Sequence, residues 1–209
     1  MSVLDRVKRR FARPPEPVRV AVRASSDPHE RVLAWGTLVR DGGWLVATSR
    51  GLRIVPPHVT SVADAEALDS RAHVEALDSC AHVEVLPWHE VGSARWLATS
   101  DGGGRFEVVR LTEAEPGVQA RQPEIRHVLS EAGDLPAVVR RRVDETVVAS
   151  QRSPLPGGGG VLLVARRIPG QSGREWTVVF DDDAQRSDPE AREAARKKLA
   201  ELVAAEQPD

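Results

Sequence analysis

A glycine turn between two β-type runs is the feature that most constrains the fold of this chain. The segment Asp41-Gly42-Gly43 separates HERVLAWGTLVR (29–40) from WLVATSRGLRIV (44–55). Asp-Gly between runs rich in β-branched and aromatic residues is a strong signal for a β-hairpin. Before this hairpin, VRVAVRAS (18–25) alternates apolar and polar residues, which predicts a further strand. The first part of the chain is therefore predicted to be antiparallel β-structure.

More β-type runs follow, and they too are joined by glycine-containing turns. SARWLATS (93–100) and RFEVVRL (105–111) flank an Asp-Gly-Gly-Gly turn, where glycine supplies the positive φ that a tight turn requires. Residues 112–123 after this hairpin are predicted to be a loop. Three later runs predict a meander: TVVASQRS (146–153), GVLLVARRI (160–168) and REWTVVFDD (174–182).

Helical patterns are predicted for three segments of the second half of the chain. Residues 124–132 and 134–145 are short candidates. The clearest helix covers 188–206, and Ser187 and Glu190 before and within it match a capping box. Its apolar stripe has helical spacing: Ala191, Ala195, Leu199, Leu202 and Val203. We expect this helix to pack one face on the sheet.

The order of these elements predicts a mainly β fold with a capping helix. We expect an antiparallel sandwich or partial barrel that is closed by the C-terminal amphipathic helix. A single domain is predicted at 18–206, with a loop insertion at 57–82. Residues 1–17 are predicted to form a basic N-terminal tail or a short amphipathic helix.

Three features of the chain resemble the bacterial pleckstrin-homology-like (PH-like) domain proteins. They are the hairpin phrase VATSRGLRI (46–54), the phrase LPW-x-x-V that begins at Leu86, and the terminal helix. The resemblance extends over 18–206 and implies two packed antiparallel sheets with one end closed by the helix. Members of that family are mostly binding and scaffold modules without a shared catalytic motif. The resemblance therefore implies a non-catalytic role, although the first strand, the insertion and the helical segment before 146 depart from the simple form.

Composition and charge restrict the classes of function. A formal net charge of −2 over 209 residues gives no electrostatic basis for nucleic-acid binding. A single cysteine excludes an internal disulfide and fits a reducing compartment. No apolar run approaches the roughly 20 residues that span a bilayer, and the N-terminal segment lacks the apolar core of a secretory signal. We expect a cytoplasmic protein, with peripheral attachment to the inner face of the membrane as an alternative.

A tandem repeat at 66–83 carries two histidines and the only cysteine of the chain. EALDSRAHV is followed directly by EALDSCAHV, so that Cys80 stands where the first copy has Arg71. A nine-residue period places His73 and His82 on opposite sides of either a helix or a strand. The histidines also lack the i, i+4 spacing of a helical zinc site. We interpret the repeat as a duplication in a surface connection, where added length is tolerated.

Three further clusters do not match the sites that they suggest. The glycines at 157–160 precede a strand, whereas a phosphate-binding loop needs Gly-Lys-Ser/Thr at the start of a helix. The three aspartates at 181–183 carry ligands suited to Mg²⁺ or Ca²⁺, but a solvated turn accounts for them better. Ser93 lies near His89 and Glu90 in sequence, but a triad is defined by spatial geometry. We therefore predict no catalytic, cofactor-binding or metal-binding residues.

Two features predict contact with a partner. Residues 1–13 combine basic groups with apolar residues at helical spacing, which is typical of a helix on an anionic membrane surface or against a partner protein. Trp88 is predicted to be partly exposed near a strand end, where an aromatic ring favours an interface. The other four tryptophans are expected in the core. The predicted contact residues are Arg6, Lys8, Arg9, Arg10, Phe11, Arg13 and Trp88.

Two functional hypotheses follow from the sequence. The first is a non-catalytic interaction or scaffold module of PH-like fold, without a cofactor, that binds a partner protein or the inner membrane surface. The second is a small metal- or substrate-binding enzyme whose site is assembled from scattered Asp and His residues. The absence of any motif with convergent spacing favours the first hypothesis.

Overall fold

A computed structural model of the chain describes residues 13–40, 42–57, 85–168 and 173–206. Of these residues, 46% lie in strands and 28% in helices, and the last element is an α-helix. The prediction of a mainly β fold with a C-terminal helix is therefore confirmed. None of the described helices combines the length and the apolar character needed to cross a bilayer.

The described elements are mostly short strands. The strands are β1 (Val32–Leu38), β2 (Trp44–Thr48), β3 (Gly51–Val55), β4 (Val85–Pro87), β5 (Val91–Ala98), β6 (Gly104–Glu115), β7 (Val118–Arg121), β8 (Ile125–Glu131), β9 (Val147–Pro154), β10 (Gly160–Arg167) and β11 (Arg174–Phe180). The α-helices are α1 (Glu16–Arg23), α2 (Leu135–Thr146), α3 (Asp183–Ser187) and α4 (Pro189–Glu206). A short 3-10 helix covers Trp88–Glu90.

The chain divides into two compact units that are interleaved in sequence. Unit 1 draws on Met1–Trp88, Ala94–Val108 and Ile125–Arg141. Unit 2 draws on His89–Ser93, Val109–Glu124 and Arg142–Asp209. Strands β5 and β6 and helix α2 therefore contribute residues to both units. The single domain expected from the sequence stays a prediction, and its expected first residue lies inside α1.

Unit 1 is a sheet covered on one face by helix α1. Its strands follow the order β4-β3-β2-β1-β8-β6, and the described pairings among them are antiparallel. Val18 and Ala21 of α1 form a buried cluster with Val46 and Val55 of the sheet. Because the two ends of this strand order are not paired with each other in the described part of the chain, the described strands do not close into a barrel.

Unit 2 is a mixed sheet covered on one face by helix α4. Its strands follow the order β6-β7-β11-β10-β9, in which β7 and β11 pair in parallel and the other pairs are antiparallel. Ala191 and Ala195 of α4 are buried in one cluster with Leu163 and Val178 of the sheet. The meander predicted at the C-terminal side is confirmed as β9, β10 and β11, while the parallel pair was not expected.

The strand predicted at 18–25 is wrong, because this segment belongs to helix α1. Pro17 occupies the first turn of the helix, where its missing N–H removes no helical hydrogen bond. Val18, Ala21 and Val22 are buried at the spacing i, i+3 and i+4. The same apolar residues fit both a period of two and a helical period, and burial of the helical stripe decides between them.

The loop predicted at 112–123 and the helix predicted at 124–132 are also wrong. Strand β6 continues to Glu115, and β7 follows a turn in which Gly117 has a φ of 75°. Strand β8 occupies the second segment and pairs with both β1 and β6. Because two flanking strands satisfy its backbone groups, tertiary pairing outweighs the weak helical pattern.

The remaining predicted elements have the predicted type, helix or strand, and differ from the prediction only in where they begin and end. The run WLVATSRGLRIV divides into β2 and β3 at Ser49 and Arg50. The hairpin of β5 and β6 and the helix α2 lie where they were predicted. Helix α4 begins at Pro189, and the backbone N–H of Glu190 donates to Asp188 Oδ1 at 3.0 Å, so Asp188 provides the cap predicted for Ser187.

Candidate functional site

Unit 2 contains a polar cleft of about 340 Å³. Its polar lining comes from the 3-10 helix, from β6 and β7, and from β11: His89, Glu90, Arg110, Thr112, Glu113, Gln119, Glu175 and Thr177. This volume is at the low end of the range of about 300 to 1,000 Å³ typical of ligand pockets. We call this feature the unit 2 cleft.

The strand geometry of unit 2 explains why these side chains meet. Trp176 and Val178 belong to the cluster beneath α4, so Glu175 and Thr177, which alternate with them along β11, lie on the opposite face of the sheet. The parallel pairing of β11 with β7 brings Gln119 beside them. Thr177 Oγ1 donates a hydrogen bond to Gln119 Oε1 at 3.2 Å, which fixes the two side chains.

An ion pair holds one wall of the unit 2 cleft. Arg110 on β6 contacts Glu90 through Nη2 at 3.1 Å, and its Nε donates to the same Oε2 oxygen at 3.2 Å. Both side chains are about one third exposed, so the pair orients the wall more than it stabilises the fold. The positive charge of Arg110 is thereby directed to Glu90.

His89 lines the cleft as a neutral imidazole. Burial lowers its pKa from the ordinary value of 6.5. The negative charges of Glu90 and Glu175 oppose this effect in part, and the positive charge of Arg166 lowers the pKa slightly further. His89 Nδ1 is buried and has no hydrogen-bond partner among the residues that the structure describes. A neutral imidazole carries one nitrogen that accepts a hydrogen bond. His89 therefore contributes a neutral side chain to the lining of the cleft, while its Nδ1 is buried.

Arg166 on β10 is not part of the lining of the cleft. It is the register partner of Glu175, so the two side chains point to the same face of the sheet. Arg166 is only 6% exposed, and its Nη1 donates a hydrogen bond to Thr146 Oγ1 at 3.0 Å. Burial lowers the pKa of Arg166. The charge of Arg166 lowers the pKa of His89, and it is the smallest of the effects on that pKa.

Two carboxylates of the cleft have no ion-pair partner among the described residues. Glu113 on β6 and Glu175 on β11 are both exposed, and neither forms an ion pair within the described part of the chain. The lining contains three carboxylates and one guanidinium, which gives a formal net charge of −2 with His89 neutral. The unit 2 cleft is thus an acidic recess with one imidazole in its lining.

The arrangement of these groups favours binding over covalent chemistry. The hydroxyl of Thr112 accepts a hydrogen bond from Gln122 Nε2 at 2.7 Å, and that of Thr177 is bonded to Gln119, so neither hydroxyl is paired with a base. Ser93, which lies close to His89 in sequence, does not line the cleft. Across the described ranges, no three His, Cys, Asp or Glu side chains are grouped closely enough to hold one metal ion.

The structure corrects the prediction for Trp88. This residue is only 2% exposed, and its indole N–H donates to the carbonyl oxygen of Thr48 at 3.0 Å inside unit 1. Its ring fills the core and its polar atom is satisfied, so it does not present a contact surface. Arg13 is described and exposed. The other predicted contact residues lie outside the described residues: Arg6, Lys8, Arg9, Arg10 and Phe11.

The glycine and aspartate clusters, for which no binding site was predicted, have structural roles. The glycines at 157–159 have positive φ and form the turn between β9 and β10. Asp182 caps helix α3 by accepting a hydrogen bond from the backbone N–H of Gln185 at 2.8 Å, and Asp181 pairs with Arg152. The tandem repeat at 66–83 lies outside the described residues.

Sequence reasoning found only part of this cleft. His89 and Glu90 were noted as titratable neighbours, whereas Glu113 and Gln119 lie in the segment predicted to be a loop. The sequence signal for β7 is the alternation of apolar and polar residues in VQAR, which follows the turn at Gly117. The parallel partner β11 is separated from β7 by more than 50 residues, and no local pattern indicates that pairing.

The chain matches no protein-family model, no curated protein and no solved structure.

Proposed function

We propose that this protein is a non-catalytic interaction module that holds a partner protein at the unit 2 cleft. The observation that carries the proposal is the composition of the cleft, which gathers charged and hydrogen-bonding side chains on paired strands without an activated nucleophile. Binding groups that are supported by strands keep their geometry better than groups on loops. The resemblance to PH-like binding modules forms part of this proposal.

The edge of the unit 2 sheet is a weaker candidate for partner binding. Strand β9 is the outer strand of this unit, and its register against β10 shifts at Val148. It also carries the exposed Arg152 and ends at Pro154. Bulges, charged side chains and prolines protect edge strands from pairing with other chains. A partner is therefore expected to be recognised by side chains in the cleft rather than by strand addition.

Membrane attachment is the other form of the interaction hypothesis. It rests on the basic segment 1–13, of which the structure describes Arg13 alone. The protein partner is proposed here because the cleft is formed entirely by described residues. Co-sedimentation of the full chain with anionic vesicles at low salt tests the membrane form directly, since surface binding of basic residues is lost at high salt.

Affinity capture with a cleft-filling variant tests the proposal. Glu175→Trp fills the cleft from an exposed position, and Glu193→Trp makes the same change at an exposed position on α4. We expect one protein from the native host to be captured by the wild type and by Glu193→Trp, and to be lost with Glu175→Trp. Circular dichroism should show that both variants are folded. Equal capture by all three proteins would overturn the proposal.

A further inference from the structure

Unit 1 has an exposed sheet face on which arginines lie beside an apolar centre. We infer that this face binds an acidic segment of a partner protein, in which carboxylates flank an apolar side chain. The inference goes beyond the proposed function, because it concerns unit 1 and does not depend on the unit 2 cleft. We call this surface the arginine face, and it consists of Val39, Arg95, Arg105, Glu107, Arg126 and Val128.

The pairing of β6 with β8 brings most of these side chains together. Arg105 is the register partner of Val128, and Glu107 is the register partner of Arg126. Residues directly opposite each other on antiparallel strands have their side chains on the same face. Val39, just after β1, extends the row, because its backbone N–H donates to the carbonyl oxygen of Val128 at 2.9 Å. These residues therefore share one face of unit 1.

Arg95 on β5 lies on the same face. The rings of Trp96 and Phe106 have centroids 5.7 Å apart, so these two residues share one face of the β5–β6 hairpin. Arg95 precedes Trp96 and Glu107 follows Phe106, so both lie on the opposite face. Phe106 is buried in the core whereas Arg95 is exposed, so the arginine face is the solvent side of the hairpin.

A single buried carboxylate lies among the arginines. Arg105 Nη2 contacts Glu107 Oε1 at 2.7 Å, and the side chains of Arg105 and Glu107 are 46% and 8% exposed. Arg126 and Arg95 are placed beside Glu107 on the two neighbouring strands, and both are exposed. Three guanidinium groups and one carboxylate give this face a formal net charge of +2, whereas the whole chain carries −2. An acidic partner is therefore attracted to this face and not to the chain as a whole.

The two valines provide the apolar centre of the face. Val39 is 60% exposed and Val128 is 49% exposed, although they are neighbours on adjoining segments of the sheet. Neighbouring exposed apolar side chains are a feature of interaction surfaces, because a partner that covers them removes apolar area from water. An apolar side chain between the carboxylates of the partner would meet this centre.

The chemistry of the face favours a protein segment over a lipid surface. All three cations are arginines, whose planar fork pairs with carboxylates and which are enriched at protein interfaces. Surfaces that enter a membrane bury large side chains such as Trp, Phe and Leu to a depth of about 5 to 10 Å. The apolar centre here is a pair of small valines on a sheet face.

Two peptides that differ in charge alone test the inference. The acidic probe is the capped heptapeptide Glu-Asp-Leu-Glu-Leu-Asp-Glu, and the neutral probe has Gln and Asn at its acidic positions. Each is titrated into the isotope-labelled full chain while the backbone amide signals of Arg105, Arg126 and Val128 are followed by NMR. We expect saturable shifts with the acidic probe at low salt, and binding at least about tenfold weaker with the neutral probe. Equal binding of the two probes would overturn the inference.

Matched variants locate the effect on the arginine face. Arg95→Gln combined with Arg126→Gln removes two exposed cations and keeps Arg105, the partner of the buried carboxylate. We expect this variant to bind the acidic probe at least about tenfold more weakly. Its control is Arg121→Gln combined with Arg167→Gln, which changes the net charge equally at exposed positions of unit 2 and should bind as the wild type does. Full binding by the first variant would contradict the inference.

A second variant tests the apolar centre without changing any charge. Val39→Thr combined with Val128→Thr keeps the β-branched shape at two exposed positions and makes the centre polar. Binding of the acidic probe should weaken at least about threefold, and circular dichroism should show that the variant is folded. This variant decides the inference if the arginine variant does not fold, and unchanged binding by it would overturn the role of the valines.

Anionic vesicles form the last arm of the experiment. Co-sedimentation of the wild type, but not of the arginine variant, without any binding of the acidic peptide would overturn the inference and assign the face to a lipid surface. The result is separate from the test of the unit 2 cleft, because Glu175→Trp changes no residue of the arginine face.

Discussion

The guanidinium of Arg53 holds the carboxylate of Glu30 at two points inside unit 1. Arg53 Nε donates to Glu30 Oε1 at 2.9 Å, and Nη2 donates to Oε2 at 2.5 Å. The side chains are 7% and 1% exposed. Thr48 Oγ1 donates to the same carboxylate at 2.5 Å, and Ser25 Oγ accepts from Arg53 at 3.0 Å. Both oxygens of Glu30, and Nε and Nη2 of Arg53, are therefore hydrogen-bonded.

Glu30→Gln should strongly destabilise the fold, because it leaves the Arg53 charge buried without a counter-ion. Removing one partner of a buried ion pair costs about 3 to 5 kcal/mol of unfolding free energy. Chemical denaturation followed by circular dichroism measures the loss. Glu193→Gln at an exposed helix position is the matched control and should change stability by less than about 0.5 kcal/mol. Equal stability of the two variants would contradict the prediction.

The same pair predicts how stability depends on pH in the acid range. Burial raises the pKa of Glu30, but hydrogen bonds from Arg53, Ser25 and Thr48 outweigh burial and hold the pKa below its ordinary value of 4.5. Such a carboxyl contributes stability that is complete above the unfolded pKa and is lost as the pH falls through the folded pKa. Denaturation midpoints should therefore decrease below about pH 4.5, and Glu30→Gln should flatten that decrease.

His89 should titrate below the ordinary histidine range. Burial lowers its pKa, so the unfolded chain binds a proton at this position at higher pH than the folded chain does. Folding stability should then decrease as the pH falls through 6.5, the ordinary value. An NMR titration of the imidazole resonances measures the folded pKa directly. A midpoint at or above 6.5 would show that the imidazole is not desolvated.

Trp88 should behave as a core residue and not as a contact residue. Trp88→Ala removes a buried ring and should cost about 3 to 5 kcal/mol of unfolding free energy. Trp88→Phe keeps most of the ring but leaves the Thr48 carbonyl without its donor, which should cost about 1 to 3 kcal/mol. Arg13→Ala, at an exposed position, should remain within about 0.5 kcal/mol of the wild type. Urea denaturation of the three variants gives this order, and a neutral Trp88→Ala would contradict it.

Gly51 is required by the close approach of β3 and β4. A Cβ at this position would overlap the backbone carbonyl of Leu86, and backbone cannot move aside as a flexible side chain can. Gly51→Ala should lower the melting temperature through a loss of about 1 to 3 kcal/mol. Gly173→Ala is the control, because no described residue lies within 4 Å of the added Cβ there. Similar melting temperatures for the two variants would show that β4 yields to the new methyl group.

Local turn chemistry made much of the fold predictable. The turns at Gly42 and Gly102, both at positive φ, lie where hairpins were predicted, and the glycines at 157–159 form the turn of the predicted meander. These signals depend on neighbouring residues alone, so they predict hairpins without knowledge of tertiary contacts. The terminal helix was predictable for the same reason, since Ala191 and Ala195 follow a helical period.

Segments whose pattern fits two periods were not predictable. Val18 and Val22 satisfy a helical stripe as well as an alternating strand, and only burial against the sheet of unit 1 decides. The unit 2 cleft was hidden for a different reason. Glu113 and Glu175 are brought to one cleft by strand pairings between distant segments, and single-sequence periodicity contains no information about such pairings.

The parallel pairing of β7 with β11 has a consequence for synthesis of the protein. Strand β11 is the last of the described strands in sequence, but it lies between β7 and β10 in the order of unit 2. Until Phe180 has left the ribosome, β7 and β10 each have an unpaired edge. In the finished sheet, β11 pairs with both of these edges. Exposed edges of this kind pair readily with other chains. Unit 2 is thus completed by insertion of β11 between two strands that are synthesised before it.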